Sequence, residues 1–352
     1  MCAKVAVAMS GGVDSSAVAW LLLQEGHTLT GVTMDLSGCG FSSDAVSDAR
    51  AVAQQLGFPH LALDLKHAFQ QQVMDPFVRC YEAGKTPNPC IQCNRRLKFG
   101  ALLDHCLALG LDALATGHYV RRQYDSGSGR YLLQKAAHLE KDQSYVLYSL
   151  TQTQLAHSLF PLGALSKEEV RSLAQAHHLA SAHKKESQDI CFIPDGDYAA
   201  FLARYSGHSY PPGPFLDEAG HSLGSHNGIV HYTVGQRRGL GISSNHGRLY
   251  VKELRPEENA VVLCQGSSLF SPTLIAEQVN FIPFDRLDAP LRLRAKIRYR
   301  MAEQPCTVEQ VDSDTVFVRF DQPQRAITPG QAVVFYDGDI VVGGATIRKG
   351  AY

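Results

Sequence analysis

The residues best suited to chemistry stand near the start of the chain, in Ser10-Gly11-Gly12-Val13-Asp14-Ser15-Ser16. Two adjacent glycines let backbone amides approach an anion, and the serine hydroxyls add donors. Asp14 is too acidic to face a phosphate directly, so its expected partner is a Mg²⁺ ion shared with phosphate oxygens. The turn has neither the lysine of a Walker loop nor the glycine spacing of a dinucleotide-binding turn. A second reactive group lies in 85–99, where Cys90 and Cys93 sit near Arg95, Arg96 and Lys98. A cysteine close to a helix N-terminus and to cations is expected to ionise readily. Cys90-x-x-Cys93 would also make half a zinc site, but no second C-x-x-C completes it, and an inert pair is a third reading. Cys191 follows a basic, polar lead-in and precedes Phe192 and Ile193; a buried structural thiol and a mobile catalytic segment both fit that context.

These residues need elements to hold them. Lys4-Val5-Ala6-Val7-Ala8-Met9 is an apolar run of strand length, and Val13, Ala17, Val18, Leu21 and Leu22 recur at helical spacing up to Gly26. The unit reads as strand, glycine turn, helix. Strands follow at 28–34, 59–65 and 112–116, and helices at 43–56, 68–81 and 97–109, with 83–93 as a loop. Such alternation predicts a parallel sheet covered on both faces, with ligands at the strands' carboxyl ends, where Ser10, Met34 and Gly117 fall. A hairpin at 124–131 and helices at 151–160 and 166–177 come next. After Tyr210-Pro211-Pro212-Gly213-Pro214, short β-rich runs dominate: 228–234, 249–254, 260–264, 291–299, 315–320, 332–336 and 340–347. The fold class expected is α/β, with domains at 1–204, 205–274 (a small central β module) and 275–352 (a C-terminal β-barrel).

Composition sets the bounds. The 352 residues allow two or three units, and 33 Lys+Arg against 34 Asp+Glu leave a net charge of −1, so any nucleic-acid binding must use local patches. The early apolar run opens directly into the glycine turn, so it is not read as a signal peptide, and no stretch is long enough to span a bilayer. Nine scattered cysteines, an odd number, then favour a reducing cytoplasm over a disulfide framework.

The S-G-G-x-D-S turn between a strand and a helix resembles the PP-loop of ATP pyrophosphatases, which cut ATP between its α- and β-phosphates and adenylate a substrate oxygen. Further motifs narrow the resemblance. Thr86-Pro87-Asn88-Pro89 with Cys93-Asn94, Ala115-Thr116-Gly117-His118-Tyr119, Lys141-Asp142-Gln143-Ser144-Tyr145, Asp189-Ile190-Cys191-Phe192-Ile193, Gly235-Gln236-Arg237-Arg238-Gly239 and Pro329-Gly330-Gln331 occur in the order seen in tRNA-specific 2-thiouridylases. The resemblance covers essentially the whole chain. It implies ATP contacts at Ala8, Met9, Ser10, Gly11, Gly12, Val13, Asp14, Ser15, Met34 and Gly117, with Mg²⁺ arriving on the nucleotide and no structural metal. Cys191 matches the cysteine that carries sulfur as a persulfide, and Cys93 its nucleophilic partner in a transient Cys93–Cys191 disulfide. Asn88, Pro89 and Cys90 match the loop that touches the target base. His118, Lys141, Asp142 and Gln143, and Arg298, Tyr299, Arg300 and Gln331, match tRNA contacts. The implied partners are tRNA and a persulfide-donating protein, and the implied state is a cytoplasmic monomer. One position departs: many relatives carry an aspartate, a candidate acid/base, where this chain has Cys90, which reads here as a bystander.

Leu291-Arg292-Leu293-Arg294-Ala295-Lys296-Ile297-Arg298-Tyr299-Arg300 alternates throughout, so a strand would put its five cations on one face. Unpaired, they would repel, which favours phosphate contact over a solvated face. Arg121-Arg122 and Arg237-Arg238 would extend the track, and Tyr119 or Phe99 would stack on a flipped base or sit in the core.

Overall fold

The computed structural model describes residues 2–41, 44–181, 190–242 and 247–351. Their contacts divide into two units: 1–74, 89–194 and 338–342 in the first, and 75–88, 195–337 and 343–352 in the second.

The first unit is built on a five-stranded sheet. Strands β1 (Lys4–Ala8), β2 (Thr28–Asp35), β3 (His60–Asp64), β4 (Ala113–Ala115) and β7 (Ser158–Leu159) lie in the order β3-β2-β1-β4-β7, and their pairings are parallel. Val5, Ala6 and Val7 are fully buried, as expected of a central parallel strand covered on both faces. Helix α1 (Val13–Gln24) follows β1 directly and is buried along Ala17, Val18, Ala19 and Leu22; α2 (Asp44–Leu56) turns Ala49, Val52 and Ala53 inward. Because β1 pairs with β2 on one side and β4 on the other, the chain reverses direction across the sheet at the carboxyl end of β1.

Sequence and structure part company at several helices. Helix α3 (Lys66–Phe69) is followed by a π-helical turn, Gln70–Met74, and by α4 (Asp75–Glu82). Helical structure then begins at α5 (Pro89–Gln92), not at 97, and runs through a π-helical stretch, Cys93–Leu102, into α6 (Leu103–Ala108). A proline at the first helical position costs nothing there, because its missing N–H would have had no partner. The expected hairpin is present as β5 (Val120–Asp125) and β6 (Arg130–Lys135), paired antiparallel. The stretch expected to be one helix at 151–160 is instead α7 (Gln152–Ala156) followed by β7, which closes the sheet's edge. Helix α8 (Lys167–Ala176) opens on a capping box in which Ser166 and Glu169 satisfy each other's backbone amides.

The second unit adds α9 (Tyr198–Ser206), then β8 (Gly213–Leu216), β9 (Ser222–His226), β10 (Leu249–Arg255) and β11 (Ala260–Gln265) in a four-stranded sheet. The expected strand at 228–234 is absent; a 3-10 turn, Ile229–His231, occupies it. A closed barrel follows, with β12 (Phe270–Phe281), β13 (Leu291–Lys296), β14 (Gln304–Gln310), β15 (Val316–Arg325), β16 (Ala332–Asp337) and β17 (Ile340–Ala351) in the order β12-β15-β14-β13-β16-β17 and β12 pairing back to β17. Val316, Val318, Val333, Val334, Phe335 and Tyr336 are fully buried. No described helix is long and apolar enough to cross a membrane.

Candidate active site

The glycine loop sits where β1 gives way to α1. Gly11 has φ +70°, and a Cβ built there would lie 2.5 Å from the Cβ of Asp48, so position 11 demands glycine on both conformational and steric grounds. Gly12 is the N-cap of α1 in extended backbone, and no side chain caps the helix. The first-turn amides therefore keep their capacity for an outside anion, supported by the helix dipole. Ser15 and Ser16 hydroxyls both donate to the Gly12 carbonyl, at 3.0 Å, which fixes the turn. Met9 is buried, and its amide donates to the Val32 carbonyl at 2.8 Å, while Ala8 and Met34 are half-buried. Gly117 covers the loop from the end of β4: a Cβ there would come within 3.0 Å of the Asp14 Cβ. These contacts form a cradle with little room for side chains, which suits a phosphate approached by backbone.

Asp14 is engaged. Its Oδ1 accepts from Lys167 Nζ at 2.6 Å and from the Tyr119 hydroxyl at 2.8 Å. Lys167 escaped the sequence reading because 153 positions separate it from Asp14. The one signal was a lysine in the first turn of a helix, where the dipole disfavours a cation and some compensating anion is needed.

The thiol residues lie in the same unit. Cys93 is half-buried in the continuous helical run from Pro89, and Cys90 and Cys191 are exposed as residues. Desolvation first, then the charges of Cys93 and Cys90, push the Cys191 thiol up to about 12, against the opposing charge of Lys98. Burial likewise pushes Cys93 up, against Lys98, and Cys90 up, against Lys98. Cys90, Cys93, Cys191 and Lys98 are thus near enough for charge on one to bear on the others. The expectation that Cys93 ionises readily is corrected: it lies beyond the first helical turn, desolvation outweighs Lys98, and Arg96 is turned to Gln92 at 3.1 Å. Lys98 makes no ion pair with a described residue. The residues that lead into Cys191 at 182–189 lie outside the described residues, and the described part of the segment is anchored by Phe192, which is buried against Phe69 with ring centroids 5.6 Å apart. No group of three or more His, Cys, Asp or Glu among the described residues is placed to hold a metal ion.

The residues matched to tRNA contacts fall in both units. In the first, Pro89 is buried and Lys141 half-buried. His118 is buried between Phe99 and Phe160, bonded to Thr116 Oγ1 at 2.8 Å, and burial with Lys98 holds it well below the usual imidazole range. Asp142 accepts from Ser144 Oγ at 2.6 Å and from the Ala136 amide; Gln143 Oε1 accepts from the Tyr119 amide at 2.9 Å. In the second unit Asn88, Arg298 and Gln331 are half-buried, and Tyr299 and Arg300 are exposed. Arg298 donates to the Ala326 carbonyl at 2.8 Å, and Gln331 Nε2 donates to the Thr86 carbonyl at 2.8 Å.

The basic strand also needs correction. It ends at Lys296, and its cations have partners: Arg292 forms a forked pair with Asp321 at 2.7 Å, while Arg294 and Lys296 both approach Glu303. Mutual repulsion therefore does not argue for phosphate there. Arg121 and Arg122 are likewise committed, to the Lys135 carbonyl and Asp339 and to the Leu155 and Ala156 carbonyls. Arg237 and Arg238 are exposed, and neither guanidinium forms an ion pair with a described residue. Tyr119 and Phe99 are core residues, 3% and 0% exposed, and offer no face for stacking.

Comparison with known proteins follows this architecture. The tRNA methyl transferase HUP domain family matches residues 3–195, the tRNA methyl transferase PRC-barrel domain 199–265, and the aminomethyltransferase beta-barrel domain 271–347. The chain is 49% identical to the tRNA-specific 2-thiouridylase MnmA of Carboxydothermus hydrogenoformans, over 98% of each chain. It is 46% identical to the tRNA-specific 2-thiouridylase MnmA of Clostridioides difficile, again over 98% of each. Among solved structures, a 4-thiouridine synthetase in complex with RNA and bound ATP aligns at a TM-score of 0.39 and 18% identity, covering 58% of this chain and 50% of that one. On its full-length matches, the chain belongs to the tRNA-specific 2-thiouridylase family.

Proposed function

We propose that this protein is an ATP-dependent tRNA sulfurtransferase that makes 2-thiouridine at the wobble position. The observation that carries the reading is one unit holding both a glycine loop at an uncapped helix N-terminus and two thiols, Cys93 and Cys191, within electrostatic reach of each other. Oxygen at C2 of uracil is a poor leaving group, and transfer of AMP from ATP makes it a good one, with pyrophosphate released. The α1 amides and the Gly11–Gly12 backbone offset phosphate charge, and Mg²⁺ enters with the nucleotide, within reach of Asp14.

Sulfur then arrives as a persulfide on Cys191, loaded by a donor protein. Its terminal sulfur attacks C2, and AMP leaves with the oxygen. Cys93 attacks the Cys191 sulfur, a Cys93–Cys191 disulfide forms, and the electron pair of the broken S–S bond stays on the sulfur bound to the base. An external thiol reductant restores the pair. Lys98, whose charge bears on both thiols, favours their anionic forms at each of these steps. Pro89, Cys90, His118, Lys141, Asp142 and Gln143 in the first unit, and Asn88, Arg298, Tyr299, Arg300 and Gln331 in the second, contact tRNA or support residues that do, His118, Asp142 and Gln143 from buried or hydrogen-bonded positions. The domains are 1–204, 205–274 and 275–352. Nucleoside mass spectrometry of cells lacking the protein tests the reading: 2-thiouridine is expected to disappear, and an unchanged level would overturn it.

A further inference from the structure

A carboxylate stands in the first turn of α1, where an anionic ligand would have to dock. Unopposed, Asp14 would repel a polyphosphate. It is opposed by Lys167, whose ammonium lies 2.6 Å from Oδ1 and is among the described residues the only cation bonded to it. The side chain of Lys167 is 4% exposed, although burying an ammonium is unfavourable, and it occupies a helical first turn, where the dipole adds to that cost. The same Oδ1 also accepts from Tyr119, and the lysine lies 5.8 Å from the centre of the Tyr119 ring. The first turns of α1 and α8 therefore meet at a buried cation beside an uncapped helix N-terminus, with Gly11 and Gly117 keeping side chains out. That combination is costly as a mere structural pair and well suited to a highly charged anion.

We propose that Lys167 is a phosphate-binding residue of the nucleotide site. With a nucleoside triphosphate in the loop, its ammonium turns from Asp14 to the β- and γ-phosphate oxygens, the most highly charged part of the ligand. There it offsets the charge that gathers on pyrophosphate as the bond between the α-phosphorus and the bridging oxygen breaks and that oxygen keeps the electron pair. AMP lacks these phosphates and so gains little from the lysine. The inference rests on the nucleotide reading of the loop and extends it by one residue, from an element outside the glycine turn.

Isothermal titration of the full chain with ATP and with AMP tests it. Lys167→Met is expected to weaken ATP binding by roughly 10- to 100-fold and AMP binding by less than about threefold. Lys167→Arg, which keeps the charge, is expected to recover part of the ATP affinity. The double variant Asp14→Asn with Lys167→Met removes both charges; it is expected to stay weak for ATP. Equal losses for ATP and AMP in Lys167→Met, or wild-type ATP affinity in the double variant, would overturn the proposal by reducing the lysine to a neutraliser of Asp14. A wild-type protein that binds no ATP would overturn the nucleotide reading and this inference together, whereas ATP binding that Lys167→Met leaves unchanged would overturn this inference alone.

Discussion

Replacing Gly11 with alanine probes the glycine loop with the least chemical change. At φ +70° an L-residue clashes with its own backbone, at a cost of about 1–2 kcal/mol. The new Cβ would also lie 2.5 Å from the Asp48 Cβ and 3.3 Å from the Ala45 carbonyl oxygen, so α2 or the loop must shift, at a further cost of about 1–3 kcal/mol. Together the destabilisation is about 2–5 kcal/mol, a large fraction of the ~5–15 kcal/mol that holds an ordinary domain together. Gly12 supplies the control. Its φ of −90° suits any residue, and a Cβ there would meet only the Ser10 hydroxyl, at 3.4 Å. Gly12→Ala is expected to cost below about 1 kcal/mol, mainly from a poorer N-cap. Urea denaturation followed by intrinsic fluorescence separates the two, since Trp20 lies on α1 itself. A Gly11→Ala protein as stable as Gly12→Ala would refute the steric and conformational reasoning for this loop.

Three further outcomes are expected. Alkylation of Cys93 and Cys191 by iodoacetamide, read by peptide mass spectrometry, should be slow at neutral pH and keep rising past the ordinary thiol value of ~8.5, because both thiols are held upward by burial; Lys98→Met should slow it further, and a plateau near pH 7 would contradict this. Tyr119→Phe deletes the hydroxyl bonded to Asp14 and should cost about 1–2 kcal/mol in urea, with wild-type stability as the contrary result. Arg237→Ala with Arg238→Ala should weaken tRNA binding and lower its salt slope by about one per lost phosphate contact, whereas Arg292→Ala, whose partner is Asp321, should leave tRNA affinity nearly unchanged and cost ~0–1 kcal/mol; the reverse ranking in filter-binding assays would refute the assignment.

Much of the first unit was legible because its signals are local. Val5 to Val7 form a continuous apolar run, and the glycine turn with Val13, Ala17 and Val18 behind it fixes strand, loop and helix in one reading. The barrel was legible as a class but not strand by strand: β12 and β14 carry polar residues at intervals that blur their alternation, and nothing local marks them. The 83–93 stretch read as a loop, yet Pro89 starts a helix there. At the site, residue types were recoverable and electrostatics were not. The sequence shows cations around Cys93 but not its desolvation, which reverses the expected shift. Likewise it shows five alternating cations, but not that Arg292 pairs with Asp321 or that Arg294 and Lys296 approach Glu303. Lys167 could be found only once folding had brought it to Asp14.

The most direct test follows sulfur and thiols in one turnover. Protein carrying labelled persulfide on Cys191 is mixed with unmodified tRNA, ATP and Mg²⁺, then quenched with an alkylating agent and analysed as peptides and nucleosides. The account predicts labelled 2-thiouridine at the wobble position with one Cys93–Cys191 disulfide for each thiolated base, and neither product when Cys93 is serine. Thiolated tRNA formed while both cysteines remain open to alkylation would contradict it.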